Sequence, residues 1–175
     1  MSEPRSEPSP QAVGRPHWVV FLGLAAIIFV ADQLTKAWLV SILAPGESRD
    51  VVGDLLRIVY SQNNGGLFGL FHGQALVFGL VSLVVVGGIV VAHSRLGDSR
   101  YLSITLGLLL GGALGNLIDR LRLGFVVDFV DAGVGTTRWY TFNVADAGIS
   151  FAILLLLAAS LWPAVVRPRT GAAAA

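Results

Sequence analysis

The sequence predicts an all-α polytopic membrane protein built on four transmembrane helices. Three observations carry this. The 175 residues are 54% hydrophobic and only 13% charged, where a soluble domain carries about 25% charged residues. Four separate segments are each long and apolar enough to cross a bilayer, which takes about 20 residues. Those segments leave almost no polar side chains from which to build a water-facing shell. A chain of this length is expected to form one domain.

The elements follow in order. Residues 1–17, which include "MSEPRSEPSPQAVGRP", are rich in Pro, Ser and Glu and read as a disordered tail. They do not resemble the n-region of a cleaved signal peptide, because the apolar stretch that follows runs on through charged residues. The first span is Trp18–Leu43, interrupted by Asp32 and Lys36. The second is Ala75–Ala92 and the third Tyr101–Ile118, neither with a charge. The fourth is Ala147–Val166, followed by a short tail, 167–175, that opens "RPRT". The membrane domain is therefore expected over 18–166.

Arginines orient the chain. The short link "HSRLGDSR" carries Arg95 and Arg100, and the ends carry Arg5, Arg15, Arg167 and Arg169. Basic residues collect on the cytoplasmic side of spans, so both termini and this link are expected there. Parity adds a second constraint. With four spans, the loop after the first and the loop after the third share one membrane face. Asp32, Lys36, Asn63, Asn116, Asp119, Arg120, Asp128, Asn143 and Asp146 all fall at that face, which is expected to be the outer, working one.

The residue inventory limits the chemistry. There is no cysteine, so disulfides, thiolate zinc sites and cysteine nucleophiles are excluded. Three scattered histidines do not suggest a metal cluster. No cofactor, metal or nucleic-acid partner is expected, although the net charge of +1 by itself argues neither for nor against nucleic acid.

Each motif has a plain structural explanation beside a functional one. In "DQLTKAW", Asp32 and Lys36 lie at i, i+4 and share a helix face. They either lock helices together as an ion pair or act directly in a site, since an isolated charge in a span costs about 2.5–3.5 kcal/mol. Gly107, Gly111 and Gly115 are spaced four apart, which lets helices approach closely in lipid. Asn116 and Arg120 repeat the i, i+4 relation, with Asp119 beside them. "QNNGGLFGL" has the glycines and asparagines of a tight turn. In "RWYTFNVADAGIS", Trp139–Phe142 alternates like a short strand, and Trp139 and Tyr140 suit a headgroup zone. Asn143 is placed to cap the next helix, and Asp146 lies in its first turn, where the helix dipole favours a carboxylate.

Asp128 has no such plain explanation. It sits in "VVDFV", among Val126, Val127, Phe129 and Val130, with no base within four residues. An acid in apolar surroundings keeps its proton to higher pH, and a second carboxylate nearby strengthens that effect. Asp146 lies on the same loop-and-helix unit. Two carboxylates sharing one proton can hydrolyse a peptide: one takes a proton from water and the other donates to the carbonyl oxygen. Asp119 and Asp131 are rival members, although Asp131, near Gly133 and Gly135, reads as a solvent-side loop acid.

These blocks, in this order, resemble those of the bacterial lipoprotein signal peptidases, or signal peptidase II. They are "DQLTK" at 32–36, "NNGGLFG" at 63–69, "GGALGNLIDR" at 111–120, "VVDF" at 126–129 and "FNVAD" at 142–146. The likeness covers about residues 18–166. It implies an aspartic endopeptidase of the bacterial cytoplasmic membrane, with Asp128 and Asp146 as catalytic pair. Asp32, Lys36, Asn63, Asn116, Asp119, Arg120 and Asn143 are implied to bind substrate or support the site. It implies cleavage of diacylglyceryl-modified prolipoproteins just before the lipidated cysteine, and membrane lipid as surroundings. It also implies a small extracytoplasmic β/loop element with a lid-like helix, built from the 44–74 and 119–146 loops. One block departs from the family pattern: Gly66 and Leu67 stand where two alanines are usual.

Two other classes compete. A small proton- or ion-coupled transporter would spread its acids through the membrane depth. A non-enzymatic scaffold of glycine-rich helices would have no use for Asp128.

Overall fold

A computed structural model of the chain describes residues 15–65 and 75–166. The order is α1 (Trp18–Ile42), β1 (Ser48–Val52), β2 (Leu56–Asn63), α2 (Ala75–Leu96), α3 (Arg100–Leu123), β3 (Val126–Val134), β4 (Thr137–Arg138) and α4 (Val144–Leu161). A 3-10 turn, Pro163–Val166, follows. Four helices are long and apolar enough to cross a membrane. The expected tails, 1–17 and 167–175, lie almost wholly outside the described residues, as do Gly66 and Leu67.

Several span boundaries differ from expectation, and α2 runs on past Ala92 to Leu96. α3 continues past Ile118 to Leu123, so Asn116, Asp119 and Arg120 are helical. It stops where Gly124 adopts φ 79° and donates its N–H to Arg120 O at 3.1 Å, a left-handed cap that glycine makes without a Cβ penalty. α4 begins at Val144 and ends at Leu161. Asp146 is therefore inside the helix, and Pro163 ends it short of Val166 because proline cannot continue the hydrogen-bond ladder.

α3 is the central helix. Most of it is buried, whereas only a small share of α1, α2 and α4 is. Its glycines explain how it touches two neighbours at once. A Cβ on Gly107 would lie 2.7 Å from Phe21 O, and one on Gly111 2.6 Å from Ala25 O, both on α1. A Cβ on Gly112 would lie 2.5 Å from Ala145 O on α4. The adjacent pair Gly111–Gly112 thus admits α1 on one side and α4 on the other. Phe21, Ala25, Ile89, Leu106, Leu110 and Ala113 form the core between α1, α2 and α3.

The outward residues of α2 are apolar: Val77, Leu80, Val81, Leu83, Val84 and Val85 are all exposed. A helix that is apolar all round suits lipid or a protein interior rather than water.

The four strands form an antiparallel sheet in sequence order at one end of the bundle. β2 pairs with β3 so that Ser61 faces Asp128 and Asn63 faces Val126, with an irregularity between Ile58 and Ser61. A second core, of Leu39, Leu43, Tyr60, Val127 and Phe129, fastens the sheet to the end of α1.

Two local expectations are corrected. Trp139–Phe142 is not a strand. The hairpin turns at Gly135, whose φ is 57°, so β3 pairs with Thr137 and Arg138 instead. Phe142 keeps one isolated bridge to Val130. Asp131 is not a loop acid. It lies on β3 and its Oδ1 accepts from Arg138 Nε at 2.7 Å. The lid-like helix expected of the 44–74 and 119–146 loops is not among their described residues, and 66–74 lie outside those described.

Candidate active site

β3 explains how a carboxylate comes to lie inside an apolar run. Successive side chains on a strand point to opposite faces. Val127 and Phe129 face the second core, so Asp128 faces the other way. Val126, Val127, Asp128 and Phe129 are all buried, so the strand is covered on both faces. That is why the run shows no alternation of polar and apolar residues. Asn63 lies on β2 diagonal to Asp128, within the reach of a cross-strand pair. Its Nδ2 donates to Asp128 Oδ2 at 3.0 Å.

Asp146 arrives from the first turn of α4. Asn143 is the cap of that helix: its Oδ1 accepts the Asp146 N–H at 2.9 Å. In return, the Asn143 N–H donates to Asp146 Oδ2 at 3.3 Å. This is a reciprocal capping box, in which two otherwise orphaned donors are satisfied.

Asn143 also reaches Asp128. Its Nδ2 donates to Asp128 Oδ1 at 2.7 Å. Longer contacts run from the same nitrogen to Asn116 Oδ1 at 3.1 Å and Val127 O at 3.3 Å. Asn116 Nδ2 donates to Asp146 Oδ1 at 2.7 Å. Asn63, Asp128, Asn143, Asn116 and Asp146 thus form one connected polar network drawn from β2, β3, α3 and α4.

Burial pushes Asp128 up to about 7, and the neighbouring Asp146 carboxylate adds to the rise. The hydrogen bonds from Asn63 and Asn143 and the charge on Lys36 oppose it. Asp128 therefore sits near the middle of its titration at neutral pH.

Lys36 occupies the floor of the site. Its Nζ lies 2.8 Å from Asp32 Oδ2 and 2.8 Å from Asp119 Oδ2. It also donates to Asn116 Oδ1 at 3.3 Å. Arg120 donates to Asn116 O at 3.2 Å and to Gly65 O at 3.4 Å. Its guanidinium also lies 5.8 Å from the centre of the Phe78 ring, within cation–π range. Every site residue expected from the sequence thus lies in this region.

Gln33 was not expected there. Its Nε2 donates to Asp119 Oδ1 at 3.0 Å and contacts Asp32 Oδ2 at 3.2 Å. Its position in "DQLTK" was the available signal, but a single amide next to an acid has no spacing that marks it. A second polar cluster lies at the other end of the bundle. His93 is fully buried, stacks on Phe21 with ring centres 3.9 Å apart, and bonds Ser103 Oγ at 3.1 Å.

Comparison with known proteins places the chain in a family. The family model described as Signal peptidase (SPase) II matches residues 24–162. The lipoprotein signal peptidase of Syntrophomonas wolfei is 39% identical over 137 residues, 78% of this chain and 89% of that protein. The lipoprotein signal peptidase of Moorella thermoacetica is 41% identical over 145 residues, 82% of this chain and 94% of that protein. A bacterial membrane enzyme solved by the in meso method at 2.3 Å resolution superposes with a TM-score of 0.80 at 25% identity, covering 91% of this chain and 98% of that one. A second such enzyme, at 1.9 Å, gives 0.77 at 27% identity, covering 85% of this chain and 97% of that one. With its network of carboxylates and asparagines at one end of four apolar helices, this chain belongs to the signal peptidase II family.

Proposed function

We propose that this protein is a multi-pass membrane aspartic endopeptidase. It removes the signal peptide from diacylglyceryl-modified prolipoproteins, cutting immediately before the lipidated cysteine. Asp128 and Asp146 are its catalytic pair. The observation that carries the assignment is the single residue Asn143, whose side chain bonds the Asp128 carboxylate and whose backbone N–H bonds the Asp146 carboxylate.

The two acids divide the work. Asp128, near half-protonation at neutral pH, holds the shared proton and donates it to the scissile carbonyl oxygen. Asp146, at the positive end of α4, takes a proton from the attacking water. The tetrahedral intermediate then collapses as the amine leaves with a proton from the pair. Asn63, Asn116 and Asn143 hold the carboxylates in place, and Arg120 braces the chain at Gly65 beside them.

The surroundings suit a substrate held by acyl chains. The exposed apolar surface of α1, α2 and α4 favours insertion in a bilayer, with the dyad at one interface where lipid meets water. The arginine distribution supports termini on the cytoplasmic side and the sheet on the outer side.

The test is cleavage of a lipidated precursor peptide by the full chain in detergent, with chelator present. Asp128→Asn and Asp146→Asn are each expected to lose about 10²–10⁴-fold in kcat while still inserting. Near wild-type cleavage by either variant would refute the assignment.

A further inference from the structure

We infer that Asp32, Lys36 and Asp119 form a positioning clamp that sets the separation of the two catalytic carboxylates; this rests on the dyad reading above.

The clamp grips the backbone next to each acid. Asp32 Oδ1 accepts the N–H of Ala145, the residue before Asp146, at 2.9 Å. Asp119 Oδ2 accepts the N–H of Val127, the residue before Asp128, at 3.2 Å. Lys36 joins the two carboxylates, at 2.8 Å from each. The path from one catalytic acid to the other therefore runs Asp146, Ala145, Asp32, Lys36, Asp119, Val127, Asp128. Gln33 spans the same two carboxylates in parallel.

Three features distinguish a clamp from a catalytic or substrate-binding role. An ammonium has three donors, and Lys36 has three acceptors: Asp32, Asp119 and Asn116. None is left for substrate. Asp32 and Lys36 are buried, at 0% and 4% exposure. The acceptors used at each end are backbone-directed, so they fix β3 and the first turn of α4 rather than any side chain that reacts. A buried ion pair adds little net stability compared with an apolar replacement; its value here is geometric, because the clamp holds α1, α3, α4 and β3 in one register.

Lys36 also places its charge near Asp128, which otherwise faces Asp146 from α4 and Arg120 from α3. Removing it must therefore alter both the spacing of the pair and the pH at which the pair loses its last proton.

The experiment compares Lys36→Met and Asp32→Asn with the wild-type full chain in detergent, using a lipidated precursor peptide. Lys36→Met is expected to lower kcat about 100-fold, the cost of a misplacement near 1 Å. KM should stay within about twofold, because substrate binding is untouched. The alkaline limb of its pH profile should move to higher pH. Asp32→Asn keeps an acceptor for Ala145 and leaves Lys36 paired with Asp119, so it should fold and lose about tenfold in kcat. It decides the matter alone if Lys36→Met does not fold. A raised KM with kcat intact in either variant would assign the group to substrate contact and overturn the clamp. Unchanged kcat in Asp32→Asn would also overturn it. Retained activity in Asp128→Asn is a separate result, which defeats the dyad and leaves the clamp without an object.

Discussion

Asn143 donates its side-chain N–H to Asp128 at 2.7 Å while its own backbone N–H donates to Asp146. One residue therefore caps α4 and couples the acid of a strand to the acid of a helix. Its truncation should damage both. Asn143→Ala removes a helix cap, costing about 0.5–2 kcal/mol, and leaves Asp128 Oδ1 without its shortest partner. We expect a lower unfolding midpoint in detergent together with a fall in kcat of about 100-fold. A variant that lost only stability, with kcat per folded molecule preserved, would show that the coupling is irrelevant to catalysis.

The titration of Asp128 sets an alkaline limit. A pair sharing one proton is active only while that proton is bound, and burial beside Asp146 holds Asp128 at about 7. As pH rises through that value the proton leaves. The expected profile of kcat/KM therefore falls above neutrality by about tenfold per pH unit. The midpoint belongs to the pair as a whole rather than to one residue. A profile flat from pH 6 to pH 9 would be incompatible with this chemistry.

The same shift predicts a cost in stability. The folded state holds the Asp128 proton to about 7, whereas an unfolded Asp releases it near 3.9. Between those values the folded state binds more protons than the unfolded one. Stability from this group is therefore complete below about pH 4 and is lost as pH climbs to about 7. Asp128→Asn has no such group. Its unfolding midpoint, compared with that of the wild type, should improve steadily over that window and level off above it. A pH-independent difference between the two proteins would contradict the shift.

Some of this architecture was legible in the residues and some was not. The four spans follow from composition, and their parity correctly gathers Asp32, Lys36, Asn116, Asn143 and Asp146 at one end. The cap at Asn143 follows from its position before an apolar run. The register of β2 on β3 did not follow, because an irregularity between Ile58 and Ser61 shifts the pairing that brings Asn63 to Asp128. Trp139–Phe142 alternates like a strand, but the turn at Gly135 had already committed the pairing to Thr137 and Arg138. Gln33 was silent because its partners, Asp32 and Asp119, come from different helices and no local pattern joins them. Gly112 escapes the sequence pattern for a related reason. Spacing of four picks out the face of α3 that meets α1, and Gly112 lies on another.

That glycine supplies a test of how tightly the helices fix the site. A Cβ on Gly112 would meet Ala145 O at 2.5 Å and Ile149 Cγ1 at 2.7 Å. The isoleucine side chain can turn aside, but the carbonyl oxygen is backbone and cannot. Relief requires α4 to move away from α3 at Ala145, one residue from Asp146. Gly88 on α2 is the control, since a Cβ there meets nothing within 4 Å. Gly88→Ala should be neutral or gain about 0.5–1 kcal/mol from helix propensity. Gly112→Ala should lower the unfolding midpoint and reduce kcat by about 10-fold or more, since Asp146 moves with the helix that carries it. The comparison separates two ideas about this bundle. If the helices pack as a soft, lipid-like mixture, both substitutions will behave alike. If α3 is the rigid post against which the catalytic helix is seated, only Gly112→Ala will lose activity, and Asn116→Ala, which removes the bond to Asp146 from the same post, will lose it too.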